Sequence, residues 1–597
     1  MAEEGPAPPS TRSLQLALVG LAVVVRLLHL AHVEPSPLFE FHRTFHESDM
    51  YMFDQWAQRI VAGDVLGRET YHPLVAWQIA TAPVESWKGW YGDEPTFYKA
   101  PGYAYLIAGL YAVFREVMLP LALLQIAAAA AAVWLLFRMT ERLFGQEPAF
   151  FASLFLAVYS PAIHFDVAML RGPWIVLASL AATWQLMRLI EIPSPRGAVA
   201  LGLLLGLSLV VNEGFLTVPP LVLLVLWLCL PRSGRRWPIA GFVLLGTAAA
   251  VAPVVARNVA VGAPAFKLAV TGGMVYAVCN SAASSPYFFE ARASAFVPIL
   301  AESGGSLSRA AVACLRSFPT WADAALFYLR KASGLVIPFE NPDNANFYHA
   351  ALKDPLLAAL PGYEVLMPLA LIGLVLAIRS WRALVAFAPY PASVLLALLL
   401  TLPLSRYRVT LVVFMMPFAG LALAAGVTAL RHRHFLRLGA GLSAAAALAL
   451  SAAALQSRLV FAGRPAGLFL YRPAEFLLSA DAYAQRGRYA AALHEIEELL
   501  SHNPDRTIRP AALLQAARFQ VEQGQLEPAR QDLGLALEAS GNDPAVLMAV
   551  GDLERHLLHD EARAKADYEQ ALDLVPPGPI RLELLSRLGR SERREGP

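Results

Sequence analysis

Long apolar runs separated by short polar loops fill most of the chain. Eleven of these runs approach the length of about 17–25 residues with which a helix crosses a bilayer. They lie at about residues 13–32, 119–137, 149–163, 172–190, 198–212, 214–230, 238–256, 361–378, 383–401, 407–428 and 435–455. This pattern predicts an all-α polytopic membrane domain over residues 13–456.

A shorter apolar run at residues 103–114 determines which side of the membrane each loop faces. If this run is a re-entrant element and not a twelfth span, nearly all loop arginines fall on one side, which the positive-inside rule assigns to the cytoplasm. These arginines are Arg12, Arg138, Arg142, Arg196, Arg232, Arg235, Arg236, Arg379, Arg382, Arg431, Arg433 and Arg437. The sequence then predicts a cytoplasmic N-terminal tail (1–12), outer loops at 33–118 and 257–360, and a C-terminus outside the cytoplasm. The protein is expected in the inner (plasma) membrane.

Composition narrows the class of protein further. With 57% hydrophobic and 16% charged residues, the chain is neither a purely soluble nor a disordered protein. The formal net charge of +2 gives no field that would attract nucleic acid, so no nucleic-acid partner is expected. Three cysteines are too few for a disulfide framework, although Cys279 and Cys314 in the second outer loop allow one disulfide.

Charged residues and helical periodicity return after about residue 465. Small residues and turn residues recur there at the spacing of tetratricopeptide repeats, in which close helix pairs need small side chains at their crossings. The three sets are Tyr483, Gly487, Tyr489, Ala492 and Pro504; Gly524, Leu526, Ala529 and Ala536; and Ala564, Tyr568, Ala571 and Pro576. Residues 466–597 are therefore predicted to form an α-solenoid, which either binds a protein partner or is a simple folded cap.

Two carboxylates follow the first span within the first outer loop. Glu47 and Asp49 precede a stretch in which Met52, Trp56 and Ile60 recur at helical spacing, so a short interfacial helix is predicted there. The carboxylates either act as acid–base groups at the membrane surface or simply cap that helix.

Basic residues on the predicted outer side are candidates for binding a phosphate. Arginines at these positions run against the charge bias of membrane loops, and a guanidinium suits bidentate contact with phosphate. The candidates are Lys99, Arg171, Arg257 and Arg406, with Arg408 as an equal alternative to Arg406. The alternative for Lys99 is that it extends toward lipid headgroups.

Several segments, taken in order, resemble the GT-C glycosyltransferases. The aspartate after the first span is followed by the pattern A..I..GD at residues 57–64 and by Y.APGY.YL at residues 98–106. Later segments that fit are RLFGQEPAFFASLFLAVYSPAIHFDVAMLR, GLLLGLSLVVNEGFLTVPP, ARNVAVGAPAFKLAVTGGMVYAVCN, RKASGLVIPFENPDN and LSRYRVTLVVFMMPFAG. Over about residues 14–430 the chain is similar to the dolichyl-phosphate-mannose protein mannosyltransferases and the bacterial aminoarabinose transferases, and bacterial members with a tetratricopeptide tail are familiar.

The resemblance implies a GT-C fold and the transfer of a sugar from a polyprenyl-phosphate donor to a protein, lipid or glycan acceptor outside the cytoplasm. Asp49 matches the catalytic position and would be the general base of an inverting transfer, with Glu47 as the second choice. Asp166, in the second short outer loop, would orient the acceptor or bind a divalent cation (Mg²⁺ or Mn²⁺) together with Asp49. The plainer alternative is an ion pair between Asp166 and Arg171.

Polar residues near the predicted outer surface are candidates for substrate binding. They are Tyr103, Asn258, Asn280, Glu340 and Asn344. Aromatic and amide side chains in the second outer loop suit sugar stacking and acceptor docking. The same residues equally suit simple anchoring of a loop in the headgroup region.

Two other functions fit parts of the pattern. An O-antigen ligase or polymerase would also have about ten to twelve spans and outer arginines, but not an acidic residue so soon after the first span. A non-catalytic membrane scaffold that presents the repeats would need neither Asp49 nor Lys99.

Overall fold

The computed structural model of the protein describes residues 11–231, 236–502, 505 and 507–590. The predicted N-terminal tail up to residue 10, Arg232, Arg235, Pro504 and the side chain of Arg382 lie outside the described residues. The described residues form helices, turns and loops, and no strand occurs among them.

The chain divides into two compact units. The first contains the residues up to Val33 and the range Phe45–Ala462, and the second contains Glu34–Thr44 and the residues from Gly463 onward. A short segment that the sequence assigns to the first outer loop therefore folds with the C-terminal part of the chain.

Long apolar helices build the first unit. Within the described residues, seven helical segments are long and apolar enough to cross a membrane: Thr11–Val33, Met118–Phe144, Gly172–Glu191, Arg236–Val261, Ser405–Arg431, Phe435–Val460 and Pro355–Ser380. In the last of these, the short helix Pro355–Ala359 leads into the longer helix Tyr363–Ala377. A bent pair, Gln146–Val158 and Ser160–Val167, is an eighth candidate, and shorter apolar helices occupy Pro195–Val211, Glu213–Cys229 and Pro389–Leu400. Each of the eleven predicted spans overlaps one of these helices, which confirms a polytopic all-α protein.

The bent pair corrects one predicted span. The two helices meet at 50°, because Tyr159 has extended backbone angles and Pro161 begins a new helix where its missing N–H costs nothing. The predicted span at 149–163 is therefore two helices, and the second continues to Val167. As a consequence, Asp166 lies inside a helix and not in a loop.

The run at residues 103–114 forms one short helix, Gly102–Tyr111. Its ten residues rise about 15 Å, roughly half the thickness of the hydrocarbon core. The helix is too short to cross a bilayer on its own.

Glycines allow a close helix crossing in the first unit. A Cβ built on Gly202 would lie 2.1 Å from the carbonyl oxygen of Val243, and one built on Gly246 would lie 2.3 Å from that of Val199. Helices Pro195–Val211 and Arg236–Val261 therefore touch backbone to backbone, as small residues permit between membrane helices.

Short helices fill the two large loops. The first loop contains Asp49–Val61, Ala76–Thr81, Val84–Tyr91 and Gly102–Tyr111. The second contains Gly272–Asn280, Ala293–Ser303, Leu307–Arg316, Trp321–Ser333, Phe347–Lys353 and Pro355–Ala359.

The helix Asp49–Val61, called the Asp49 helix below, confirms the short helix predicted after the first span. Its apolar face is buried at Met52, Phe53, Trp56 and Ile60. The hydroxyl of Ser48 caps its first turn by accepting a hydrogen bond from the Tyr51 amide at 3.1 Å. The carboxylate of Asp49 is therefore free for another role.

Helix pairs build the second unit. They are Pro473–Gln485 with Tyr489–His502, Arg509–Glu522 with Leu526–Ser540, and Pro544–His556 with Glu561–Leu574, flanked by Gly467–Leu470 and Pro579–Arg587. The predicted small residues Ala492, Ala529 and Ala564 are fully buried. Gly487 and Gly524 end the first helix of the first two pairs with positive φ, which favours glycine. The 3₁₀ helix Pro37–Arg43 also belongs to this unit.

Candidate active site

The carboxylate of Asp49 lies between two cations. Lys99 donates a short hydrogen bond from Nζ to Oδ1, and Nη2 of Arg406 lies 2.6 Å from Oδ2. Asn344 donates from Nδ2 to Oδ2 at 3.1 Å and accepts from the Asp49 backbone amide at 2.9 Å. Three residues that are far apart in the sequence thus converge on Asp49.

Three kinds of element position these groups. Asp49 is the first residue of its helix, Lys99 precedes the helix Gly102–Tyr111, and Arg406 is the second residue of the long helix Ser405–Arg431. Asp343 also pairs with Nη2 of Arg406, at 2.5 Å. The side chains of Asp49, Lys99 and Arg406 are 16%, 13% and 10% exposed, so the cluster is largely withdrawn from solvent but reachable.

The cations control the charge of Asp49. Burial alone would raise the pKa of Asp49, but Lys99 and Arg406 outweigh burial and hold that pKa well below its usual range. Burial lowers the pKa of Lys99, Asp49 opposes this shift, and the positive charges of Arg171 and Arg406 add to it. Asp49 is therefore an anion at neutral pH and a poor base while both cations hold it.

A second ion pair adjoins the cluster. Nη1 of Arg171 lies 2.9 Å from Oε2 of Glu213 and donates to the carbonyl of Val211 at 3.1 Å. The same carboxylate oxygen accepts from the backbone amide of Ala100 at 3.3 Å, directly after Lys99. Arg171 is therefore linked to the segment that carries Lys99.

Asp166 pairs with an arginine inside the first span. Nε of Arg26 lies 2.7 Å from Oδ2 of Asp166, and Arg26 also donates to the carbonyls of Ala22, Leu156 and Ala157. The suggested pairing of Asp166 with Arg171 is therefore wrong, because each of the two has another partner.

Asp166 and Arg406 share a cavity although Asp166 does not contact Asp49 through any described hydrogen bond. Arg26 also lines this cavity, whose remaining walls are apolar or small: Ala129, Ala132, Leu156, Ala162, Phe165, Gly172, Pro173, Val176, Val409 and Val413. The cavity is thus lined by three charged side chains and by apolar or small ones.

The oxygens of both aspartates are occupied by cationic side chains. Among the described residues, no group of three or more His, Cys, Asp or Glu side chains is placed to hold a metal ion. Asp49 is paired with Lys99 and Arg406, and Asp166 with Arg26. This donor set does not fit a divalent cation shared by the two aspartates, so the predicted metal role of Asp49 and Asp166 finds no support in their contacts.

The structure separates Arg406 from Arg408, which the sequence leaves as equal alternatives. Arg408 pairs with Glu340 at 2.9 Å and donates to the carbonyls of Ile337 and Phe339. Glu340 also accepts from Ser405 at 2.5 Å. Arg408 and Glu340 thus hold the loop before Asp343, and Arg406 faces Asp49.

Arg257 connects two parts of the first loop. Its guanidinium donates hydrogen bonds to the backbone carbonyls of Leu66, Gly67 and Pro95 and lies over the ring of Phe97. The structure therefore does not bring Arg257 to Asp49.

Three predicted substrate-binding residues are buried in structural contacts. Asn258 donates to carbonyls of the chain at 264–267, and Asn280 donates to the carbonyl of Leu400 and accepts from Lys331. Tyr103 donates to Gln125 at 3.0 Å. Of the predicted substrate-binding residues, Asn344 is the one that contacts Asp49.

Glu47 is exposed, outside the cluster of charges around Asp49. Both Cys279 and Cys314 are buried free thiols, so the disulfide that the sequence allows is not formed.

Two residues of the site were not among the predicted ones. Arg26 interrupts the apolar run of the first span, and a charge inside a span is itself a functional signal. Asp343 precedes Asn344, but nothing in the sequence indicates that it shares Arg406 with Asp49.

Two segments of the chain match known families. Residues 98–258 match the family described as dolichyl-phosphate-mannose-protein mannosyltransferase, and residues 483–553 match a tetratricopeptide repeat. The matched segment contains Lys99, Asp166, Arg171 and Arg257, whereas Asp49 and Arg406 lie outside it. The predicted resemblance and the predicted repeat are thus confirmed.

Solved structures of an archaeal oligosaccharyltransferase from Archaeoglobus fulgidus are similar to this chain. The complex of AglB with an inhibitory peptide and a dolichol-phosphate is 13% identical, with a TM-score of 0.39, covering 75% of this chain and 55% of that one. The enzyme tethered to an acceptor peptide is 14% identical, with a TM-score of 0.38, and the alignment covers 78% of this chain and 55% of that one. The apo form is 12% identical, with a TM-score of 0.37, and the alignment covers 79% of this chain and 59% of that one. The alignment thus spans little more than half of the solved proteins. No curated protein matches the chain.

Proposed function

We propose that this protein is a GT-C glycosyltransferase that transfers a sugar from a polyprenyl-phosphate donor to the hydroxyl of an acceptor, with inversion at the anomeric carbon. The observation that carries the proposal is the position of Asp49 between Lys99 and Arg406 at the start of a loop helix. A transfer from a lipid phosphate needs a base and cations within reach of one another, and this cluster supplies both.

Lys99 and Arg406 are the proposed ligands of the donor phosphate. In the donor-free protein their charges are balanced by Asp49 and Asp343. A phosphate brings more negative charge and more acceptor oxygens than one carboxylate, so it competes for the same cations. Arg171, linked to the Lys99 segment through Glu213, adds positive charge beside them.

Displacement of the cations would make Asp49 a stronger base. Once Lys99 and Arg406 turn to the phosphate, the pKa of Asp49 rises from its depressed value toward the ordinary one, because the charges that lowered it are shared. The carboxylate then takes the proton of the acceptor hydroxyl. The acceptor oxygen bonds to the anomeric carbon, the bond from that carbon to the phosphate oxygen breaks, and the polyprenyl phosphate leaves with those electrons.

The cavity beside Arg406 suits the lipid part of the donor. It is lined by apolar or small side chains of the span helices and by the charged side chains of Arg26, Asp166 and Arg406. An isoprenoid chain needs an apolar surface that ends where its phosphate is bound. We place Asp166 at this end of the donor, where its pairing with Arg26 fixes its orientation.

A transfer assay with two donor classes tests this proposal. The purified protein in vesicles is given a radiolabelled polyprenyl-phosphate monosaccharide, or a polyprenyl-diphosphate glycan at equal concentration, with extracts of envelope glycan, lipid and protein as acceptors. Label transferred from the monophosphate alone supports the proposal. Transfer from the diphosphate alone contradicts it and favours an O-antigen ligase or polymerase.

We also propose that the site lies outside the cytoplasm, with the N-terminus inside and the repeats outside. A periplasmic reporter fused after residue 465 should be active in cells. Activity of a cytoplasmic reporter at the same position would contradict this orientation.

A further inference from the structure

The segment Glu34–Thr44 lies between the first span and Asp49 in sequence, yet it folds as part of the repeat unit. We propose that the repeat unit acts within its own chain, by holding this segment and thereby fixing the start of the Asp49 helix. Arg486 and Tyr483 are then positioning residues for Asp49. The catalytic part of this inference rests on the proposed function, whereas the structural part does not.

The first helix pair of the repeat unit makes polar contacts with the segment through Arg486, Tyr483 and Arg488. Nη2 of Arg486 lies 2.6 Å from Oε2 of Glu40, and the hydroxyl of Tyr483 lies 3.0 Å from that of Ser36. Arg488 donates from Nη1 to the carbonyl of Pro35 at 3.1 Å. Tyr483 lies in the last turn of the helix Pro473–Gln485, and Arg486 and Arg488 lie in the connection to Tyr489–His502, so one end of the first repeat holds the segment.

The segment is folded and is not an extended linker. Ser36 caps the 3₁₀ helix Pro37–Arg43 by accepting from the amide of Leu38 at 3.2 Å. Phe39 and His42 of this helix are buried. The buried side chains and the capped start give the segment a defined shape against which Arg486 and Tyr483 can act.

Little chain separates the segment from the catalytic residue. Four residues lie between Thr44 and Asp49, and they turn tightly: the amide and the hydroxyl of Ser48 both bond to the carbonyl of Phe45, at 3.1 Å and 2.6 Å. Since a residue spans at most about 3.6 Å, such a short turn has no slack to absorb a displacement. Release of the segment from the repeat would therefore loosen the first turn of the Asp49 helix.

Hydrogen–deuterium exchange on the full-length protein in nanodiscs tests the structural part. The variants are Arg486→Ala, Tyr483→Phe and their combination, with Arg486→Lys as the conservative rescue. Arg590→Ala, which breaks a pair with Glu569 at the far end of the repeats, is the matched control. Because the pair between Arg486 and Glu40 is partly exposed, we expect amide exchange in residues 37–50 to become about fivefold faster in Arg486→Ala. The combined variant should exchange faster still. Arg486→Lys and Arg590→Ala should differ little from the wild-type protein.

Faster exchange confined to 34–44, with the amides of 48–52 unchanged, would overturn the proposal, because the segment would then be held without effect on Asp49. Unchanged exchange throughout the range would overturn it as well. Neither result depends on transfer activity, so the structural part fails or stands independently of the proposed function.

The transfer assay tests the catalytic part on the same variants. A displaced Asp49 with intact Lys99 and Arg406 should lower kcat severalfold and leave KM for the donor unchanged, with kcat restored in Arg486→Lys. If kcat is unchanged while exchange at 48–52 rises, the repeat does not position the base. A wild-type protein that transfers no sugar would refute the proposed function and leave the exchange result standing.

Discussion

Asp49 and Arg406 form an ion pair of 2.6 Å, although one begins a helix of the first loop and the other begins a long span near the end of the membrane unit. Lys99 holds the other oxygen of the same carboxylate. The pairing means that the proposed base and the proposed phosphate ligands neutralise each other until a donor arrives. Donor binding and activation of the base are then one event.

Removal of either phosphate ligand should weaken donor use. We expect Lys99→Ala and Arg406→Ala each to lower kcat/KM by about 10- to 100-fold, the range for a lost charge-assisted hydrogen bond. Steady-state transfer kinetics measure the effect, with the exposed first-loop variant Glu85→Gln as the control. Wild-type kcat/KM in Arg406→Ala would remove Arg406 from the site.

Asp343→Asn should act in the opposite direction. Asp343 holds Nη2 of Arg406 at 2.5 Å, so its neutralisation leaves that cation more available to the donor phosphate. We expect KM for the donor to fall by about two- to fivefold at an unchanged kcat, because the partly exposed pair between Arg406 and Asp343 no longer competes with the phosphate. A raised KM would show that Asp343 helps to place Arg406 and does not compete with the phosphate.

Donor affinity should fall as the pH rises, and at a lower pH than an ordinary lysine would give. The pKa of Lys99 lies below its usual 10.5, so Lys99 loses its proton at a lower pH than an ordinary lysine. The donor phosphate then loses its positively charged partner. Binding should therefore take up protons on the alkaline side. Isothermal titration calorimetry in buffers of different ionisation enthalpy measures this uptake. It should vanish in Lys99→Arg, since a guanidinium keeps its charge.

Arg257 should matter for stability and not for donor binding. Because its guanidinium donates to three backbone carbonyls that tie the loops together, Arg257→Ala leaves these part-buried acceptors without that donor. We expect a loss of about 1–3 kcal/mol of unfolding free energy, seen as a lower thermal midpoint. KM for the donor should stay unchanged in the folded fraction. A raised KM with an unchanged midpoint would favour the predicted phosphate role.

The backbone contact at Gly202 should be intolerant of side chains. A Cβ there would overlap the carbonyl of Val243, whereas Gly241 on the helix Arg236–Val261 has open space around it. Gly202→Ala should therefore lower the free energy of unfolding by about 1–3 kcal/mol, because the added methyl group overpacks the crossing, and the thermal midpoint should fall. Gly241→Ala should leave the thermal midpoint unchanged. Equal midpoints in the two variants would contradict this close crossing.

The spans and the repeats could be predicted from the sequence because each depends on a local pattern. The length of an apolar run sets a membrane helix, and the recurrence of residues such as Ala492 and Ala529 sets the helix pairs. The Asp49 helix was predictable for the same reason, since Met52, Trp56 and Ile60 mark its buried face.

The partners of the charged residues were not predictable, because they depend on how the helices are rotated and packed. Arg406 and Arg408 are two residues apart, which turns them about 200° around a helix, and their spacing does not say which one faces Asp49. Asp166 had a loop partner nearby in sequence, Arg171, but the bend at Tyr159 places it in a helix beside Arg26.

A comparison of Asp49→Asn with the wild-type protein, for both donor binding and sugar transfer, tests whether Asp49 is the base. Loss of the negative charge removes the base but frees Lys99 and Arg406. The donor should bind at least as tightly as before, while transfer falls by about 10²–10⁴-fold, the contribution of a positioned general base. Transfer by Asp49→Asn within a few fold of the wild-type rate would show that Asp49 is not the general base.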